Sequence, residues 1–245
     1  MYLALPLPVS MVVLEFFQLA GLCPGTFDLY DLICYLVPLI VFIKSLFIYN
    51  MNYMQNKPYL YIDTTNNYCY VAIYHNDKLV KKAKLLVNKN VTDLIVPTID
   101  KLFKDAKLNK LSLDKIYVNI GPGTFTGLKV GVLVAKAWAL VNPEIAIYTC
   151  NSLLLQATKL PAISVIDAKS KKLYLAIYDK TKTIIKPCLI DVDDLEKYTK
   201  KYPKFNLYKD ETDSMYANFL NCKAKFRKIK SVDLLEPLYL KNPVQ

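Results

Sequence analysis

The chain has 245 residues, 53% of them hydrophobic, enough for one large domain or two small lobes around a packed core. Its formal charge is +11, almost all from lysine, since Arg227 is the only arginine. That balance favours polyanion partners and suits loose phosphate contact better than base reading. A single histidine, His75, and six cysteines with no C-x-x-C pair argue against histidine triads, multi-histidine metal sites and redox motifs. The scattered cysteines read as buried thiols of a reducing compartment.

Residues 1–53 differ from the rest. They carry four charges, Glu15, Asp28, Asp31 and Lys44, which leaves 31 basic against 18 acidic residues over 54–245, a net of +13. The run 32–49 is near the length of a membrane span, but Lys44 lies inside it, where lipid burial is costly. Two readings stand. Residues 1–53 are a membrane segment, or an upstream extension with Met51 or Met54 as the start. The second is preferred because a complete soluble pattern begins at Tyr59. The remainder divides into a first lobe, 54–160, and a second lobe with the tail, 161–245.

From Tyr59 the pattern predicts three strands: Tyr59–Asp63, Tyr68–Tyr74 and Leu79–Val87, with turns at Asn66-Asn67 and Asn76-Asp77. A helix follows, capped by Thr92, with Leu94, Ile95, Ile99, Leu102 and Phe103 as its apolar stripe. Lys115–Ile120 is a short buried strand. Behind it come Gly121-Pro122-Gly123-Thr124-Phe125-Thr126-Gly127-Leu128-Lys129-Val130-Gly131, which hold four of the six glycines, and a helix to Leu140. The spacing fits neither a P-loop nor the dinucleotide fingerprint. Gly127, Gly131, Ala135 and Ala139 recur every fourth residue and so share one helix face. That smooth face either packs flush on its own sheet or receives a partner; in the second case a bulky Gly131 or Ala135 breaks the complex and spares the fold. Ile145–Tyr148 is a strand and Ser152–Thr158 a short helix.

Then the chain repeats itself. Tyr59–Tyr74 aligns with Ile163–Tyr178 at an offset of 104, matching Ile62 with Ile166, Asp63 with Asp167, Tyr70 with Tyr174 and Ala72-Ile73-Tyr74 with Ala176-Ile177-Tyr178. Thr183–Ile190 supplies the third strand of this copy. A helix over Asp193–Lys201, a strand over Phe205–Tyr208 and a weak helix over Met215–Leu220 follow. The tail Leu234–Lys241 is apolar enough to tie back onto the body. Two lobes of this kind are similar to the actin-like ATPases: a duplicated α/β fold of the ASKHA, ribonuclease H-like class, with the second lobe reduced. In active members the strand-end aspartate leads into a glycine-containing phosphate turn. Here Asp63 leads into Thr64-Thr65 and Asp167 into Ala168-Lys169, so this phosphate loop reads as vestigial. The alternative is an active ATPase or phosphotransferase using Asp63 and Asp167.

Ile62-Asp63-Thr64-Thr65, the motif loop from Gly121 through Pro122, Gly123, Thr124, Phe125 and Thr126 to Lys129, Ile166-Asp167-Ala168 and Glu236-Pro237-Leu238-Tyr239-Leu240-Lys241 occur in this order. Together they resemble the TsaB family, bacterial subunits that help make threonylcarbamoyladenosine in tRNA. Thr124 and Lys129 depart mildly from that family's G-P-G-S-F-T-G-L-R. The resemblance implies a cytoplasmic, non-catalytic protein without cofactor or metal. It implies that the chain binds a TsaD-like transferase, is joined by a TsaE-like ATPase, meets tRNA indirectly and pairs with itself when alone. The contact helices it implies are Thr92–Ala106 and Thr126–Leu140, with Thr92, Asp93, Leu94, Gly127, Gly131, Ala135 and Ala139 as partner-binding residues. The family often reads H-S-E where this chain has Val91-Thr92-Asp93.

Overall fold

A computed structural model describes residues 36–48, 57–86, 91–210 and 215–241, with Val91 and residues 215–218 as backbone only. The chain forms two compact units, Met1–Asn56 and Lys57–Gln245. In the first, residues 36–48 form a helix, α1, along which Val37, Val41, Phe42 and Phe47 are exposed. No described helix is long and apolar enough to cross a membrane. Part of the apolar run 32–49 lies outside the described residues.

The second unit is built on two sheets. Strands β1 (Tyr59–Asp63), β2 (Tyr68–His75) and β3 (Lys78–Leu86) form an antiparallel meander. Asn76 and Asp77 turn its second hairpin with φ of 51° and 56°, the left-handed pair that such two-residue loops require. Strand β4 (Lys115–Asn119) lies parallel to β1, and β5 (Ala146–Cys150) parallel to β4. Parallel neighbours need crossovers. Helix α2 (Val91–Asp105) supplies one and α3 (Phe125–Val141) the other. A two-residue strand late in the chain, Arg227–Lys228, closes the edge beside β5, giving a six-stranded sheet.

The two faces of this sheet differ in chemistry because side chains alternate along a strand. Leu60 and Ile62 point to one face, with Val71, Ile73, Ile116 and Val118, and pack under Ile95, Ile99 and Phe103 of α2 and Ala135 and Ala139 of α3. Tyr59, Tyr61, Tyr70, Tyr74 and Tyr117 point to the other, so the tyrosine-rich composition resolves into a buried aromatic layer. It is capped by α4 (Ser152–Gln156) and α6 (Met215–Cys222). Phe219 of α6 is fully buried and stacks on Tyr61 at 4.2 Å between ring centroids. Phe219→Ala is expected to cost about 3 kcal/mol through the cavity it opens. A thermal melt should register this as a fall of several degrees in Tm.

The second sheet repeats the plan. Strands β6 (Ala162–Asp167), β7 (Lys172–Tyr178) and β8 (Thr183–Asp191) form the meander, and β9 (Asn206–Lys209) lies parallel to β6. It has four strands where the first has six, and one short helix, α5 (Leu195–Lys201), behind it: the reduced second lobe. The two copies differ by one residue in register. Asp63 pairs with Tyr70, but Asp167 pairs with Leu173, and the tighter turn holds Lys169, Ser170 and Lys171 at positive φ. Two details of α2 depart from expectation. Thr92 lies inside its first turn rather than at the cap, and Leu94 is 44% exposed rather than part of the core stripe.

Candidate functional site

The residues at the ends of β1 and β4 meet at one point. Asp63 is completely buried, and its carboxylate accepts four hydrogen bonds. Oδ1 receives the Thr65 amide at 3.0 Å and the Thr65 hydroxyl at 2.7 Å; Oδ2 receives the Tyr61 hydroxyl at 3.0 Å and Asn119 Nδ2 at 2.9 Å. Burial, with the neighbouring Asp63 charge, holds the Tyr61 phenol well above its ordinary range, so it stays a donor. Asn119 Oδ1 in turn accepts from the Gly121 amide and the Ser152 hydroxyl, both at 3.1 Å.

The glycine motif closes over this cluster. Gly121 turns the chain at φ 102°, a conformation that side chains oppose. The Thr124 amide donates to the Thr65 carbonyl at 2.7 Å, and the Thr64 hydroxyl to the Gly127 carbonyl at 2.6 Å. A Cβ at Gly123 would overlap the Thr65 carbonyl, and one at Gly127 the Thr64 carbonyl. The motif is therefore a cradle for the chain's own Thr64-Thr65 turn. The end of β1 and the start of α3 are thereby held together by direct backbone contact.

This geometry corrects the small-residue stripe. Gly127, Gly131, Ala135 and Ala139 are all buried; a Cβ on Gly131 would meet the Thr64 hydroxyl oxygen and Ile62, and Ala135 and Ala139 belong to the core beneath the sheet. They are not available to a partner. Flush packing on the chain's own sheet is the reading that holds. Bulk at Gly131 or Ala135 is therefore expected to strain the fold as well as any complex.

The opposite side of α3 is apolar too. Leu133 is 66% exposed, Leu140 79% and Val141 76%. On α2, Thr92, Asp93, Leu94 and Val96 are exposed, and Thr92 and Val96 share a groove with Leu133 and Val141. Between the helices runs a groove of about 560 Å³, floored by Ile95, Val134 and Trp138 and rimmed by the Asp100–Lys110 ion pair. Of the residues expected to meet a partner, Thr92, Asp93 and Leu94 thus lie on an open surface. Leu133, Leu140 and Val141 are exposed apolar residues to which the spacing of the small residues does not point.

Asp63 and Asp167 are not brought together as a reactive pair. A smaller cleft of about 320 Å³ is lined by Thr65, Gly123, Thr124 and Asp167, but not by Asp63. Asp167 is exposed and bound by Lys169 through its amide at 2.8 Å and its ammonium at 2.7 Å, which holds its carboxyl below the usual value. Burial pushes the Cys69 thiol up to about 12 and that of Cys150 higher, away from thiolate chemistry. Among the described residues no group of three or more His, Cys, Asp or Glu is placed to hold a metal ion.

The chain is similar to known proteins in sequence and in fold. The family model for TsaD, tRNA N6-adenosine threonylcarbamoyltransferase, matches residues 85–232. An uncharacterized protein of Mycoplasma pneumoniae, the MG208 homolog, is 32% identical over 193 residues, covering 77% of this chain and 97% of its own. The tRNA threonylcarbamoyladenosine biosynthesis protein TsaB of Bacillus subtilis is 28% identical over 123 residues, 49% of this chain and 54% of its own. The chain belongs to the TsaB family. Its fold agrees. YeaZ from Pseudomonas aeruginosa superimposes with a TM-score of 0.56 at 16% identity, over 75% of this chain and all of that one. The actin-like, ASKHA architecture expected from the repeat is the one found. Within this TsaB-family chain the TsaD-model match takes in both groove helices and the glycine motif but not Asp63.

Proposed function

We propose that this chain is a non-catalytic subunit in the synthesis of threonylcarbamoyladenosine in tRNA, and that it holds a TsaD-like transferase in the groove between α2 and α3. The observation that carries the proposal is the two-sided apolarity of α3. Its small side is consumed by the chain's own sheet, while its large side, Leu133, Leu140 and Val141, stands open, with Leu133 and Val141 lining the groove opposite Val96. Such a patch on a charged protein marks a protein interface. The full set of hydrogen bonds on the Asp63 carboxylate supports a scaffold over a phosphotransferase. A TsaE-like ATPase joins the assembled pair, and the work is cytoplasmic, where the tRNA is. With the partner missing, the same groove closes on a second copy.

The test is calorimetry of the purified chain with the TsaD-like transferase of the same genome. Leu133→Glu combined with Leu140→Glu should weaken the complex at least 100-fold, about 2.7 kcal/mol, with Tm unchanged. Unaltered affinity would sink the groove as the docking site.

A further inference from the structure

A second cleft, of about 690 Å³, lies between the β5 end of the first sheet and the β7–β8 hairpin of the second. Its walls hold five cations, Lys180, Lys182, Lys186, Lys225 and Arg227, and one carboxylate, Asp179. None of the five makes an ion pair among the described residues. Elsewhere lysines do find acids: Lys110, Lys115, Lys169, Lys172, Lys200 and Lys223 each have one. The lone acid is in no ion pair with them; Asp179 Oδ1 accepts the Lys180 amide at 2.7 Å, and five positive charges face one negative. The chain's only arginine falls here, on the edge strand. Lys180, Lys182, Lys186 and Arg227 are exposed, while Lys225 is half-buried, its ammonium donating to the Ala157 carbonyl at 3.1 Å.

A cleft lined by one sign of charge focuses the field and repels itself until an anion enters. We propose that this cleft binds the phosphodiester backbone of RNA, the natural occupant being the tRNA undergoing modification. The identity of the RNA rests on the function proposed above; the polyanion chemistry does not. The aromatic ring that the cleft offers, Tyr178, is buried with its hydroxyl donating to Asn151 Oδ1 at 3.0 Å, so the walls contact phosphates and do not stack bases. The cleft and the α2–α3 groove share no lining residue, so both can be filled at once.

The test is fluorescence anisotropy of the full chain with a labelled tRNA transcript, titrated at several salt concentrations. Lys180→Gln, Lys182→Gln and Arg227→Gln together should weaken binding at least tenfold and flatten the dependence of log K on log salt by roughly 2, for about three lost phosphate contacts. A control with Lys101→Gln, Lys197→Gln and Lys204→Gln removes equal charge elsewhere and should stay near the parent. Cross-linking of the transcript to the unaltered chain should map to the β7–β8 hairpin and Arg227. The proposal is overturned if the parent does not bind the transcript or if both triple variants lose equally. Displacement of the transcript by polyglutamate at equal charge overturns RNA in favour of an acidic peptide. Failure here with transferase binding intact removes only the cleft. Failure of transferase binding with the RNA result intact removes the subunit role and leaves the cleft.

Discussion

Gly127→Ala is expected to destabilise the second unit by about 4 kcal/mol, a fall in Tm of roughly 10 °C. The new methyl group has nowhere to go. It would fall on the Thr64 carbonyl, and that turn is pinned by the Thr64 hydroxyl bond to Gly127 and by the Thr124 amide bond to Thr65. Moving the turn aside breaks those bonds and tilts Asp63 out of its own set of donors. Thr64→Val, which keeps the shape and removes one hydroxyl, should cost only about 1–2 kcal/mol. Circular dichroism melts of the two variants make the comparison. Any transferase affinity that Gly127→Ala loses should return on cooling below its lowered Tm, whereas the Leu133 and Leu140 pair loses affinity at full stability. A Gly127→Ala protein that melts with the parent would show that the turn yields freely, and the cradle would then lose its structural meaning.

Much of this fold is legible in the residues. Tyr59–Asp63 is bounded as the sequence predicts, and the Asn76-Asp77 turn sits where two left-handed residues are needed. The repeat between Tyr59–Tyr74 and Ile163–Tyr178 marks two meanders. It conceals their one-residue difference in register, because the strands match while the turn between them is shortened. Periodicity has no access to the edge strand Arg227–Lys228, which exists only because β5 leaves an unpaired edge beside it.

The site was harder to read, for a specific reason. A row of Gly127, Gly131, Ala135 and Ala139 states that some backbone approaches closely but not whose backbone it is. The answer lies in Thr64 and Thr65, more than sixty residues away in sequence and in contact only once β1 and β4 are paired. Asn119 is silent in the sequence for the same reason. At the end of a buried strand it is a polar oddity, and its purpose appears when Asp63 lies beside it at 2.9 Å. The exposed apolar side of α3 is legible in the residues, since Leu133, Leu140 and Val141 fall on the side away from its small residues. One helix can serve both packing demands.

Asp63 separates the scaffold from the phosphotransferase reading most sharply. If the carboxylate is structural, Asp63→Ala strands the Tyr61 hydroxyl and the Thr65 amide and hydroxyl in a buried site, and leaves Asn119 Nδ2 only its 3.3 Å bond to the Thr65 hydroxyl oxygen. Each buried donor without an acceptor costs about 1–3 kcal/mol, so even with partial relaxation the total is about 5 kcal/mol. Asp63→Asn should fall between, because its carbonyl oxygen still accepts while its amide, brought against donors, cannot. A catalytic aspartate behaves in the opposite way: removing it commonly leaves stability intact, since active sites hold groups in tension with folding. Urea unfolding of the parent, Asp63→Asn and Asp63→Ala should therefore give a graded loss of stability in that order. Two variants as stable as the parent, with tight magnesium-dependent ATP binding lost in both, would reverse the assignment. The expected order follows from a physical asymmetry: a carboxylate with all its acceptor capacity taken up inside the protein has none left to offer a substrate.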